Sequence, residues 1–120
     1  FALPKSNEEE KIKRTEAIQS ATKNAIEIPF KVMNIAFESM EIIKQMALIG
    51  NPNSVSDAGV GALCARAAVM GAFMNVRINA KDYEDKNFVN EILSKGNEIE
   101  QLTLKLEAQI LEVVNDKIGI

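Results

Sequence analysis

The stretch Ala58-Gly59-Val60-Gly61-Ala62-Leu63-Cys64-Ala65-Arg66-Ala67-Ala68-Val69-Met70-Gly71-Ala72-Phe73-Met74 carries a single charge, Arg66. A helix that is apolar all round has to be covered on every side. Its side chains are mostly small, so neighbours can come close. The pattern predicts a central helix over about 55–79, buried in an all-α, multihelical antiparallel bundle. Gly61, Ala65, Ala68 and Ala72 recur at three- or four-residue spacing, which predicts one narrow face in tight contact with another helix. A membrane span is the rival reading. It is disfavoured by the weak hydrophobicity of Ala and Gly, by Arg66 near the middle, and by the lack of flanking basic clusters or aromatic belts. No membrane partner is therefore expected.

Working outward, Gly50-Asn51-Pro52-Asn53-Ser54-Val55-Ser56-Asp57 is the one concentrated turn-forming segment. Upstream, Pro29 divides a helical stripe in two, because proline donates no N–H and crowds the preceding turn. The expectation is one helix over about 7–27, with Ser6 and Glu9 as a capping box, and a second over about 29–49 that stops at Gly50 in a left-handed conformation. Downstream, Ile92, Ile99, Leu106 and Val113 recur every seven residues, with Leu102 and Ile110 broadening the face. They predict a long C-terminal helix over about 84–117, in which Gly96 is either a weak point or a close-contact point. Some 32 helical residues span about 48 Å, beyond the roughly 30 Å of a small domain. The long helix overhangs, and the central helix needs more cover than three neighbours give. The expected unit is thus 1–120 as a single helical piece, the C-terminal portion of a larger domain, in an assembly no smaller than a dimer.

Composition supports this class. The chain has 120 residues, 47% hydrophobic and 26% charged, which suits one globular domain. Three Pro, six Gly and no Trp fit packed helices better than a turn-rich β architecture. There is no His, so the chain alone supplies no Ser-His-Asp triad and no His-ligated zinc. One Cys excludes an intrachain disulfide, and a cytoplasmic setting is expected. The net charge is −3 without a basic run, so no nucleic-acid partner is expected.

The residues able to carry chemistry gather at the 51–57 loop. Asn51, Asn53, Ser54, Ser56 and Asp57 place amides, hydroxyls and one carboxylate at a helix N-terminus, where free N–H groups favour polar or anionic ligands. The same residues are ordinary turn and cap formers. Arg66 needs a partner on its apolar helix, either a structural carboxylate or an acidic ligand. Asn75, Arg77 and Asn79 suit capping of carbonyls at the end of the central helix. Cys64, among Ala and Leu, reads as a buried inert thiol. Residue chemistry alone gives no self-sufficient enzyme signature.

Gly50 through Val60, followed by Ala65-Arg66-Ala67-Ala68 and Gly71-Ala72-Phe73-Met74-Asn75-Val76-Arg77-Ile78-Asn79, resembles the formiminotetrahydrofolate cyclodeaminase and methenyltetrahydrofolate cyclohydrolase family. Phe1-Ala2-Leu3-Pro4-Lys5, the 9–14 stretch Glu-Glu-Lys-Ile-Lys-Arg and Ile28-Pro29 are similar to that family in the same order. The resemblance implies an all-helical dimer acting on a tetrahydrofolate derivative, with no metal or redox cofactor. It implies Asp57 as proton shuttle or pterin acceptor, Asn51, Asn53, Ser54 and Ser56 as substrate-positioning groups, and Arg66 or Arg77 as partners for the glutamate tail. The family's domain is longer, and its glycine-rich turn and further helices have no counterpart in these residues. A catalytically silent helical interaction or regulatory subunit is the alternative reading.

Overall fold

The computed structural model describes residues 1–120 as three helices. They are α1 (Glu8–Ile49), α2 (Val55–Ala80) and α3 (Lys86–Ile118), with a short 3-10 turn at Pro52–Ser54. The all-α expectation holds. The division at Pro29 does not, since α1 runs unbroken through it for 42 residues. The reason lies on α2. Pro29 cannot bond the Ala25 carbonyl four residues back, and the Asn79 side-chain amide takes that carbonyl instead, at 3.3 Å.

The ends of the helices follow their local chemistry. At the start of α1 the cap falls one residue later than the Ser6–Glu9 box. Asn7 Oδ1 accepts from the Glu10 N–H at 2.9 Å, and Glu10 accepts in return from the Ser6 N–H at 2.9 Å and from the Ser6 hydroxyl. The Ser6 hydroxyl, with the Ser6 N–H, holds the Glu10 carboxyl below its usual range. Gly50 is extended (φ −73°, ψ −179°), not left-handed. Glycine is needed there for close approach, because a Cβ would stand 2.4 Å from the Met46 carbonyl oxygen. Asp85 caps α3 by accepting from the Phe88 N–H at 3.1 Å, and Gly119 ends it in the left-handed region at φ 81°.

α2 runs antiparallel to α1, with Gly61 beside Ile43 and Asn79 beside Ala25. It is antiparallel to α3 as well, with Gly59 against Val114 and Phe73 against Gly96. The core has two parts. One centres on Ile26, Met33, Val69, Phe73, Val76 and Ile92. The other centres on Met40, Ala47, Ala62, Ala65, Ile110 and Val114. On α3 the buried line is Val89, Ile92, Gly96, Thr103, Ile110 and Val114, while Leu102 faces solvent, contrary to its expected place on the seam. Gly96 is a close-contact point: a Cβ there would lie 2.2 Å from the Phe73 ring.

The molecule is elongated, 69 × 25 × 19 Å, with a radius of gyration of 19.7 Å, against about 14 Å for a compact domain of this length. The overhang read from α3 is therefore present, and α1 is longer still. α2 is not covered on every side within this chain. Val60, Leu63, Met74 and Ile78 are exposed on it, as are Ile28, Val32, Ile35, Ile42, Met46 and Ile49 on α1. Two expectations fail with it. Cys64 is exposed, not buried. Ala68 faces solvent too, although Ala65 and Ala72 on the same stripe are buried. α2 is also long and apolar enough by composition to cross a membrane, but its Val69, Phe73 and Val76 edge forms the core with α1 and α3.

Candidate functional site

The α1–α2 connection sits at one end of the bundle. Asn51 caps the 3-10 turn, with Oδ1 accepting from the Asn53 N–H at 3.0 Å. Ser54 is the residue before α2 and makes no side-chain cap bond. Asp57 occupies the third position of α2, where the helix dipole favours a carboxylate. It accepts no hydrogen bond from a protein donor, so neither of the two natural capping groups of α2 is spent on capping.

A groove of about 310 Å³ opens at this corner, within the range of small-molecule sites. Ile42, Ile43 and Met46 of α1 make an apolar wall, and Asn51, Ser54 and Asp57 face it. Of the loop residues singled out in the sequence, Asn51, Ser54 and Asp57 are thus brought together. Asn53 and Ser56 are exposed neighbours outside the groove lining. The wall was not read from the sequence as part of any site. Its signal is apolar residues flanking the end of the α1 stripe, Ile42 and Met46 beside Ile43, which the antiparallel turn sets next to the loop.

The two arginines lie elsewhere. Arg66 donates from Nε to Glu107 Oε2 on α3, and its Nη1 lies 3.5 Å from Met70 Sδ. The pair is part-buried, and of the two partners expected for Arg66 it supplies the structural carboxylate. Arg77 is exposed near the end of α2, its guanidinium 4.8 Å from the Phe73 ring centroid. At about 1.5 Å per residue it stands about 30 Å along the helix from Asp57. Asn79 does not cap the end of α2: its amide bonds the Ala25 carbonyl of α1 and the Asn75 carbonyl four residues back within its own helix.

A second, more open groove of about 570 Å³ runs between α1 and α2 at Pro29, lined by Ile28, Val32, Ala67, Ala68, Gly71 and Asn75 among others. It carries amides but no titratable group, so it offers no proton-moving chemistry. A third groove of about 480 Å³ between α1 and α3 carries Glu27 and Glu91 beside Lys31 and Lys95, but the Asp57 groove is the one formed by the loop.

Comparison with known proteins bears on this corner. The formiminotransferase-cyclodeaminase family profile matches residues 1–98, which takes in α1, the loop and all of α2. The chain is 36% identical over 119 residues to the methenyltetrahydrofolate cyclohydrolase of Methylorubrum extorquens, an alignment covering 99% of this chain and 57% of that protein. It is 40% identical over 89 residues to the formimidoyltransferase-cyclodeaminase of Gallus gallus, covering 74% of this chain and 16% of that one. Against the enzyme of the same name from Dictyostelium discoideum it is 34% identical over 101 residues, covering 84% and 19%. The chain spans just over half the length of the cyclohydrolase and less than a fifth of the two larger proteins. With the match extending over four-fifths of its residues, the chain belongs to the formiminotransferase-cyclodeaminase family.

Proposed function

We propose that the protein is a folate one-carbon enzyme whose substrate sits in the Asp57 groove. The carrying observation is the Asp57 carboxylate itself. It stands at a helix N-terminus, on the edge of a groove with an apolar wall, and no protein donor engages it. The wall of Ile42, Ile43 and Met46 suits the flat face of a pterin. Asn51 and Ser54 offer amide and hydroxyl groups to its edge, with Asn53 and Ser56 adjacent.

The leading reaction is hydrolytic opening of 5,10-methenyl-tetrahydrofolate, supported by an alignment with a cyclohydrolase that extends through α3. Water adds to the methenyl carbon, and Asp57 takes a proton from that water as it attacks. The resulting tetrahedral carbon stands between two nitrogens. It collapses to the formyl C=O as the hydroxyl proton is released to solvent and one C–N bond breaks, and the proton held by Asp57 passes to the departing nitrogen, giving 10-formyl-tetrahydrofolate. The second reading, supported by the relatives named for cyclodeamination, passes through a tetrahedral carbon between the same two nitrogens, carrying an amino group in place of the hydroxyl. N10 of 5-formimino-tetrahydrofolate attacks the formimino carbon, and ammonia leaves. One proton-moving carboxylate serves either route, and neither route calls for a metal or a redox cofactor.

The protein acts as a homodimer in the cytoplasm in this reading. The apolar stripes that α1 and α2 leave exposed support the dimer.

The test is Asp57→Asn and Asp57→Ala in the full chain, with turnover of both substrates normalised to folded protein. Asp57→Asn should lower turnover by about 10²–10⁴-fold with little change in stability, since the Asp57 side chain makes no hydrogen bond in the fold and only its interaction with the helix dipole, about 0.3–1 kcal/mol, is lost. Near-wild-type turnover in that variant would remove Asp57 from the chemistry.

A further inference from the structure

We propose that Lys117, near the end of α3, is a positioning residue for the Asp57 groove. The proposal rests on the reading of that groove as the folate site. α1 ends in carbonyls that no residue of its own helix satisfies, and it has no basic side chain in its last turn. Lys117 supplies the missing cation from another helix. Its Nζ donates to the Ala47 carbonyl at 2.7 Å and also to the Leu48 carbonyl. These are charge-assisted bonds placed at the negative end of the α1 dipole.

One turn back on α3, Val114 packs against Gly59, where a Cβ would meet Val114 Cγ1 at 3.1 Å. The last turns of α3 therefore hold the connection from both sides. Lys117 fixes the place where the chain leaves α1, and Val114 fixes the place where it enters α2. Between those points the backbone is held by the Gly50 N–H on the Met46 carbonyl, by the Asn51 turn and the 3-10 turn that closes on Asn51 and Pro52, and by the buried Val55 side chain at the start of α2.

That arrangement bears on the groove because its two walls belong to different helices. Ile42, Ile43 and Met46 are on α1, and Asp57 and Ala58 are on α2. Movement of the α1 end relative to α2 changes the distance between the apolar wall and the carboxylate. Lys117 lines no part of the groove, so its effect passes through the α1 backbone alone.

The experiment compares Lys117→Met, which keeps the stem and removes the ammonium, with Lys117→Arg, which keeps a cationic donor. Hydrogen exchange is followed at the amides of 50–58 and of 62–76, and kcat and KM for 5,10-methenyl-tetrahydrofolate are measured per folded molecule. Lys117→Met should speed exchange at 50–58 about tenfold while 62–76 keep wild-type rates. It should raise KM about three- to tenfold with a smaller change in kcat, and Lys117→Arg should restore both. Unchanged exchange at 50–58 would overturn the clamp. So would faster exchange spread evenly over α1 and α3 with KM unchanged, which is the signature of general destabilisation. If the wild-type protein neither binds nor turns over a reduced folate, the folate reading fails. The exchange pattern then still decides whether Lys117 holds the loop.

Discussion

Asn79 donates its side-chain amide to the Ala25 carbonyl, 3.3 Å away, which is the carbonyl that Pro29 leaves without a helical partner. The same amide also bonds the Asn75 carbonyl at 2.8 Å, so one side chain closes a gap in α1 while bonding back onto its own helix. A proline in a helix interior costs about 3 kcal/mol or more, and part of that cost is the orphaned carbonyl.

The pairing predicts a specific non-additivity. Asn79→Ala should destabilise the fold by about 0.5–1.5 kcal/mol, the net worth of a hydrogen bond. In a Pro29→Ala background the residue 29 N–H reaches the Ala25 carbonyl, and the same Asn79 change should cost clearly less. Chemical denaturation of the two single variants and the double variant measures the coupling, expected at about 0.5 kcal/mol or more. Additive effects would show that Asn79 does not answer Pro29.

This relationship also marks what could be read from the sequence and what could not. The α2 helix, the loop, and Asp57 in the first turn were legible because local composition decides them. The break at Pro29 was a sound local inference that a tertiary bond overrode, and no local pattern announces a donor fifty residues away. Gly96 is legible as a weak or close-contact point, but Thr103 is not legible as part of the buried line because it does not read as apolar, although it is fully buried. The apolar wall of the groove was hidden for a similar reason. Of the wall, only Ile43 lies on the helical stripe of the sequence, Ile42 and Met46 lie beside it, and only the antiparallel return of the chain sets all three opposite Asp57.

The glycines of α2 and α3 should respond to alanine in opposite directions. At Gly96 a Cβ would fall 2.2 Å from Phe73 Cε1, against a ring that has no exposure. Overpacking of about 1–3 kcal/mol outweighs the roughly 1 kcal/mol that alanine gains in helix propensity, so Gly96→Ala should lower the denaturation midpoint. At Gly71 nothing stands within 4 Å of the added carbon. There the propensity gain acts alone, and Gly71→Ala should stabilise by about 0.5–1 kcal/mol. Urea midpoints for both variants at low protein concentration check the pair. A destabilised Gly71→Ala would mean that the exposed face of α2 is covered in solution.

The position of Arg66 allows a structural role and a ligand role to be separated. Its guanidinium is paired with Glu107 across the α2–α3 contact, with the carboxylate side chain only 14% exposed. An ion pair at this depth lies between the exposed pairs, worth about 0–1 kcal/mol, and the buried ones, where removing one partner costs about 3–5 kcal/mol. Arg66→Met should therefore destabilise by about 1–2 kcal/mol, because it leaves the Glu107 carboxylate without its partner. The loss should largely vanish in a Glu107→Gln background, where no charge is stranded. Folate turnover per folded molecule should stay near wild type in both variants, since Arg66 stands about 13 Å along α2 from Asp57 by helical rise. If Arg66 instead meets the carboxylates of a folate tail, the weighting reverses. KM would then rise at least about tenfold, the loss of one charged hydrogen bond of about 1.5–3 kcal/mol. Stability would barely move, and Glu107→Gln would not rescue binding. Denaturation midpoints and KM values on the same three proteins decide between the two roles.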